Sequence, residues 1–171
     1  MSDFGLSKLD AAAVFGNAGH ESKGLTDDQE DKPVVKGSRG GANWMQWTGP
    51  RRRELEAYCK RNKLDPDSDE AAYRFMFVEL KGSEQRAIPV IKAAKTLKAK
   101  VIAFETAYLR AGVKHYDSRL KWAERALEAF DAAGDDGWTT DMNPREEPPS
   151  LWASIIAFIK LLLSLLPKRK P

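Results

Sequence analysis

Apolar residues that recur at helical spacing, between strong helix start and stop residues, restrict the fold of this chain most. In residues 4–14 the apolar side chains stand at positions 4, 6, 9, 12 and 13, close to a period of 3.6. No run alternates with a period of two for long enough to predict a strand. The pattern therefore predicts a mainly α chain, with at most a very small β element within residues 24–48.

The glycines that follow this first segment are predicted to end its helix. Gly16 and Gly19 interrupt the apolar pattern, and residues 24–43 are polar and glycine-rich with no clear period. A stretch of this composition and length predicts a long surface loop or a short flap. Loops of that length inside compact domains are often functional.

Start and stop signals divide the rest of the body into further helices. Pro50 predicts a helix over about 50–62, because proline is tolerated in the first turn. Asp67 and Glu70 resemble a capping box for a helix that stops at Gly82. Three more helices are predicted near 84–94, 97–111 and 118–133, with caps at Ser83, Thr96 and Asp117.

The composition changes after residue 134, which predicts three parts: a domain at 1–134, a Pro-rich linker at 135–150 and a tail at 151–171. At 100° per residue, six apolar tail residues share one helical face. A basic end follows them. An amphipathic helix of this kind is typical of a membrane surface. A helix that spans a thinned bilayer with Lys160 snorkelling and a core helix are the alternatives. The predicted membrane-contacting residues are Trp152, Ile155, Ile159, Leu162, Leu163, Leu166, Lys168, Arg169 and Lys170.

The positive charge of the chain belongs to this tail. The chain carries 28 Lys and Arg against 25 Asp and Glu, and four of the bases but none of the acids lie in 151–171. The other 150 residues hold 24 bases against 25 acids. A nucleic-acid-binding domain needs a basic face on the folded body, so nucleic acid is not an expected partner. An anionic membrane surface is the expected partner of the tail.

The single cysteine limits the disulfide and metal sites that this chain can form. Cys59 has no partner for an internal disulfide, and a buried structural thiol is the preferred interpretation. With two histidines, His20 and His115, the chain offers too few ligands for a Cys/His zinc site, so no metal or organic cofactor is expected. The start of the chain shows no secretory signal pattern, which predicts synthesis in a cytoplasm.

Glu21 is the strongest candidate for chemistry. It directly follows a predicted helix, whose C-terminal end carries partial negative charge and disfavours a second negative charge. The apolar neighbours Val14, Phe15 and Leu25 would add a desolvation penalty. Both effects are expected to raise the pKa of Glu21, as a general acid that works near neutrality requires. A solvated surface carboxylate is the alternative.

A second stretch combines flexible glycines with aromatic residues and a glutamine, over residues 40–52. Aromatic faces stack on sugar rings, and the amide of Gln46 supplies both a donor and an acceptor. This combination predicts a sugar-binding cleft that includes Trp44, Met45 and Trp47. Core tryptophans, with Gln46 satisfying backbone groups, are the alternative.

The two stretches together resemble the phage tail lysozyme family, which lies beside goose-type lysozymes and lytic transglycosylases in the lysozyme-like superfamily. The resemblance begins with Gly16-Asn17, Glu21-Ser22 and Gln46-Trp47-Thr48-Gly49, followed by two arginines. Three later segments agree and extend it over roughly residues 5–133: Phe75–Leu80, Phe104–Gly112 and Arg119–Ala126. At Asn43 and Trp44 the chain departs from the family's pattern. Asn tolerates a left-handed backbone, so we expect the turn to persist.

The resemblance implies a lysozyme-like domain that cleaves the MurNAc–GlcNAc β-1,4 bond of peptidoglycan glycan strands, with Glu21 as the catalytic acid. It also implies that Ser22, Gln46 and Tyr108 line the cleft. The loop acids Asp27, Asp28, Glu30 and Asp31 are candidates for a second carboxylate. A lytic transglycosylase that forms 1,6-anhydro ends is an open alternative. A non-catalytic scaffold that binds glycan or membrane is the other.

The expected biological setting follows from these interpretations. We expect a monomer that acts as a phage endolysin or as a virion-associated lysozyme. Without a signal peptide, it would reach the periplasm and cell wall after release from the host cytoplasm or as part of the virion.

Overall fold

The computed structural model describes residues 4–26, 29 and 37–132. These residues contain six α-helices: α1 (Lys8–Glu21), α2 (Gly49–Asn62), α3 (Asp69–Lys81), α4 (Ala87–Ala93), α5 (Leu97–Phe104) and α6 (Tyr116–Ala132). A π-helical turn, Glu105–Leu109, directly continues α5. The β structure of the described residues consists of two isolated bridges, which join Ala42 to Gln29 and to Trp47. The prediction of a mainly α chain with a very small β element within 24–48 is confirmed.

The first helix is longer than its sequence pattern predicts. Ser7 caps its start by accepting a hydrogen bond from the Asp10 backbone N–H, and the helix continues through both glycines to Glu21. The prediction that Gly16 and Gly19 end the helix is therefore wrong. The glycines instead allow α1 to approach α6, because a Cβ at Gly16 would lie 2.4 Å from the Cβ of Ala123. Glu21 is thereby the last residue of the helix.

We predict that Gly16→Ala lowers the free energy of unfolding by about 1–3 kcal/mol, the usual cost of overpacking a well-packed interface. The added methyl meets backbone as well as side-chain atoms of Ala123, which α6 holds in place. Gly112→Ala is the matched control, because a Cβ there meets nothing within 4 Å. Urea denaturation of both variants measures the difference. A Gly16→Ala variant that is about 1 kcal/mol more stable than the wild type, as helix propensity alone would make it, would mean that α1 and α6 do not approach each other this closely.

Of the predicted caps of α3 and α5, the first is shifted by one residue and the second is confirmed. Ser68 accepts a hydrogen bond from the backbone N–H of Ala71 and so caps α3, in place of the predicted Asp67. The predicted cap Thr96 is confirmed, since its hydroxyl accepts a hydrogen bond from the backbone N–H of Ala99.

Two other predicted caps lie away from the cap positions. Arg86 precedes α4 without a side-chain hydrogen bond, so Ser83 is not its cap. Asp117 lies inside the first turn of α6, where a negative charge still favours the helix N-terminus. At the starts of α3, α4 and α6, the predicted cap residues therefore lie one to three residues away from the observed cap or first residue.

The core is formed where α1 packs against α5 and α6. It contains Cys59, which is 1% exposed, so the prediction of a buried thiol is confirmed. Burial, followed by nearby carboxylates, raises the pKa of this thiol. A buried ion pair also joins α1 to α5, with Lys100 Nζ 2.5 Å from Asp10 Oδ1.

None of the helices in the described part of the chain is long and apolar enough to cross a membrane. The predicted linker at 135–150 and the predicted amphipathic tail at 151–171 lie outside the described residues, as do the candidate loop acids at 27, 28, 30 and 31.

Candidate functional site

Glu21 stands at the C-terminal end of α1, with its side chain about one-fifth exposed. Its Oε1 accepts a hydrogen bond from Nη2 of Arg119 at 2.6 Å. Arg119 lies near the start of α6 and is completely buried. Glu21 and Arg119 therefore form an ion pair in which the guanidinium is buried and the carboxylate is partly exposed.

The other donors of Arg119 are also engaged. Its Nε donates to the backbone oxygen of Lys114 at 2.7 Å, and its Nη1 donates to Oδ1 of Asn17 at 3.2 Å. Asn17 in turn donates through Nδ2 to the backbone oxygens of Ala13 and Val101. Asn17 and Arg119 thus connect α1, α5 and α6 directly beneath Glu21.

His20 forms a second contact between the same two helices. Its Nδ1 lies 2.9 Å from Oγ of Ser118, and its ring centroid lies 5.2 Å from that of His115. Burial, followed by the positive charge of Arg119 and by His115, lowers the pKa of His20 to about 4. The His20 imidazole is therefore neutral at neutral pH.

Ser22 closes the end of α1. It is buried, and its hydroxyl donates to the backbone oxygen of Ala18 at 2.8 Å and accepts from the backbone N–H of Leu25 at 3.2 Å. Both contacts are with the protein's own backbone. In this structure Ser22 therefore holds the turn that follows Glu21.

The loop that was predicted to bind sugar is a tight, packed turn. The backbone N–H groups of Ala42 and Trp47 each donate to the other residue's carbonyl, at 3.0 and 2.9 Å. Asn43 adopts a positive φ of 56°, as expected, so the turn persists despite the departure from the family's pattern. Its buried amide donates to the backbone oxygens of Pro66 and Ser68 and so ties the turn to the start of α3.

Three of the four predicted binding residues in this turn lie in the core. Trp44 and Met45 are 1% and 3% exposed, and Trp47 is 1% exposed. The Nε1 of Trp44 donates to Oδ1 of Asp69 at 2.9 Å. These side chains match the alternative of core residues, because a buried ring has no free face for stacking on a sugar.

Gln46 is the partly exposed member of the turn. Its Nε2 donates to the backbone oxygen of Asn43 at 2.9 Å, and its φ is 47°. Gly41 lies against it, and a Cβ at that glycine would come within 2.5 Å of Oε1 of Gln46. The glycine therefore leaves space for the Gln46 side chain.

The predicted binding residue Tyr108 lies in a buried cluster around a carboxylate, which we call the Glu79 cluster (Glu79, Arg51, Trp47 and Tyr108). Glu79 accepts from Nε and Nη2 of Arg51 at 2.7 and 2.8 Å, from Nε1 of Trp47 at 2.8 Å and from the Tyr108 hydroxyl. The Arg51 guanidinium also lies 4.6 Å from the centroid of the Tyr108 ring. Burial, followed by the charge of Glu79, raises the pKa of Tyr108 well above its ordinary value, so its hydroxyl remains a donor.

The predicted site residues thus lie in two groups. Glu21 and Ser22 stand at the joint between α1 and α6. Trp47 and Tyr108 meet at the Glu79 cluster, which joins α2, α3 and the π-helical turn. An open pocket of about 580 Å³ is lined by His115, Tyr116, Asp117, Ser118 and Lys121, of which His115 and Ser118 contact His20.

The sequence interpretation did not predict the partners of these residues. Arg119 and Asn17 stand in segments that carry the family resemblance, which was the available signal for them. Their contact spans 102 positions in the chain and depends on the packing of two helices. Among the described residues, no group of three or more His, Cys, Asp or Glu side chains is arranged to hold a metal ion.

The described residues form a helical domain whose first helix ends at Glu21, and Ser22 follows directly. The family model of the phage tail lysozymes matches residues 1–130. The chain therefore belongs to the phage tail lysozyme family, and its function is lysozyme-like, with peptidoglycan as the suggested substrate. No curated protein and no solved structure matches the chain.

Proposed function

We propose that this protein is a muramidase that hydrolyses the β-1,4 bond between MurNAc and GlcNAc in peptidoglycan, with Glu21 as the general acid. The observation that carries the proposal is the place of Glu21 in a chain of the phage tail lysozyme family. The carboxyl group of Glu21 stands at a helix end, is partly exposed and is bound by the buried Arg119. A carboxyl group in this position is accessible to a glycan strand that binds at the protein surface.

The reaction breaks the bond between C1 of MurNAc and O4 of GlcNAc, and the leaving O4 must receive a proton as this bond breaks. A carboxyl group within hydrogen-bond reach of that oxygen donates its proton and leaves as a carboxylate. Water then adds to C1 and releases a proton, so that the carboxyl group is restored. Arg119 stands next to the carboxylate that remains after the first transfer.

Gln46 is the remaining predicted binding residue with an exposed part, and we propose that its amide contacts the glycan. The buried residues Ser22, Trp44, Trp47 and Tyr108 would support the site from behind through their contacts with backbone and carboxylate groups. Met45 would contribute packing. This division assigns sugar recognition to the surface of the turn and stability to its core.

We expect digestion of isolated peptidoglycan by the purified protein to release fragments with reducing MurNAc ends. Mass spectrometry of the muropeptides, before and after borohydride reduction, detects these ends directly. Fragments with 1,6-anhydro MurNAc ends would identify a lytic transglycosylase instead. New peptide ends without new glycan ends would contradict glycan cleavage, and an intact wall would favour a non-catalytic scaffold.

A further inference from the structure

Arg119 is a buried cation whose burial requires an explanation. Its side chain is 0% exposed, whereas that of its partner Glu21 is 19% exposed. Removing a guanidinium from water is costly unless its charge is paired and its N–H groups are bonded. Glu21 supplies the charge, and the Lys114 backbone and Asn17 accept two further hydrogen bonds.

These contacts fix the direction in which Arg119 holds the carboxyl group. The guanidinium is planar and carries its donors in a rigid fork, so two bonds to the protein interior determine where its third donor points. That donor, Nη2, engages Oε1 of Glu21. The second oxygen, Oε2, is then the one that carries the proton to a substrate.

We propose that Arg119 is a positioning residue for the general acid: it orients Glu21 through Oε1 and stabilises the carboxylate that remains once the proton has been transferred. This inference rests on the proposed function of Glu21. Correct placement of a catalytic group is worth a large part of the rate, and a displacement of about 1 Å can cost about 10²-fold.

Two histidines, His20 and His115, lie near the pair formed by Glu21 and Arg119. His20 of α1 is neutral above about pH 4, because burial, Arg119 and His115 lower its pKa to that value. His115, in the segment before α6, has its ring 5.2 Å from that of His20.

Two lysines of the neighbouring segments are held in ion pairs of their own. Lys114 pairs with the buried Glu105 of the π-helical turn at 3.0 Å. Lys100 of α5 pairs with Asp10 at the opposite end of α1. Arg119 is therefore the cation that contacts Glu21 directly.

The experiment compares Arg119→Gln, Arg119→Lys and the control Arg125→Gln, which removes an arginine that lies over Trp122 on the same helix. The measured quantity is the rate of peptidoglycan cleavage as a function of substrate concentration, with folding checked by circular dichroism. We expect Arg119→Gln to lower the rate by at least about 10-fold, because positioning is lost.

Arg119→Lys keeps the charge but not the fork. Its kcat should fall while its KM stays almost unchanged, because an ammonium group does not reproduce the fixed donor directions of the guanidinium. If Arg119→Gln is unfolded, Arg119→Lys decides the question: a lower kcat at an almost unchanged KM supports positioning, and an unchanged kcat overturns it. A folded Arg119→Gln that keeps the wild-type kcat would show a purely structural residue.

Failure of this inference is distinguishable from failure of the proposed function. If Glu21→Gln is inactive and the Arg119 variants are fully active, the acid is correct and the positioning role is wrong. If Glu21→Gln is active, the assignment of the acid itself is wrong.

Discussion

Glu21→Gln is expected to lower the rate of wall cleavage by about 10²–10⁴-fold, which is the usual contribution of general acid catalysis. The amide keeps the shape of the side chain but has no acidic proton to give to the leaving oxygen. Its carbonyl oxygen can still accept the hydrogen bond from Arg119, but the buried guanidinium loses its counter-charge, so the folded fraction of the variant is measured by circular dichroism before rates are compared. Turbidity loss of purified walls measures the rate.

Glu128→Gln is the control for this substitution, since Glu128 is an exposed carboxylate on α6. We expect its rate to stay within about twofold of the wild type, because a solvated surface charge contributes little. Retention of more than about a tenth of the activity by Glu21→Gln, below the loss expected for a general acid, would mean that another group supplies the proton.

Glu79→Gln is expected to lower the free energy of unfolding by about 3–5 kcal/mol, the usual cost of breaking a buried ion pair by removing one partner. The substitution leaves the mostly buried Arg51 without a counter-charge and places an NH₂ group where the carboxylate accepts hydrogen bonds. Trp47 and Tyr108 both donate to Oε2, so an amide oxygen at that position keeps their acceptor and the NH₂ group faces Nε of Arg51, which loses its own acceptor. Urea denaturation at neutral pH measures the loss.

Glu70→Gln on the same helix is the matched control. Glu70 pairs with Arg74 one turn away at 2.8 Å, and the Glu70 side chain is 55% exposed. Exposed pairs of this spacing contribute about 0.3–0.5 kcal/mol. If the two variants lost equal stability, the Glu79 cluster would not be the central joint between α2, α3 and the π-helical turn.

The helices were predictable because their signals are local. The apolar period of α1 and the threonine cap of α5 depend on residues within one or two turns. The extension of α1 through Gly16 was not predictable in this way. Its cause is the close approach of α6, more than a hundred residues further along the chain.

The site was predictable in part for the same reason. The position of Glu21 at a helix end follows from local sequence, but its ion pair with Arg119 depends on how two helices pack. Trp47 shows a second limit of local sequence signals. An aromatic residue beside glycines predicts a sugar-binding surface, yet the indole is a donor that satisfies the buried carboxylate of Glu79. Aromatic composition alone does not distinguish these two uses.

The general acid function of Glu21 is tested most directly with a leaving group that needs no protonation. The rate loss caused by Glu21→Gln is measured on peptidoglycan glycan and on a 2,4-dinitrophenyl glycoside of the same sugar sequence. Dinitrophenolate is a good leaving group without a proton, so a missing general acid should matter little for it. We predict a loss of about 10²-fold or more on the glycan and a loss smaller than about tenfold on the activated substrate. Equal losses on both substrates would contradict the assignment of Glu21 as the general acid.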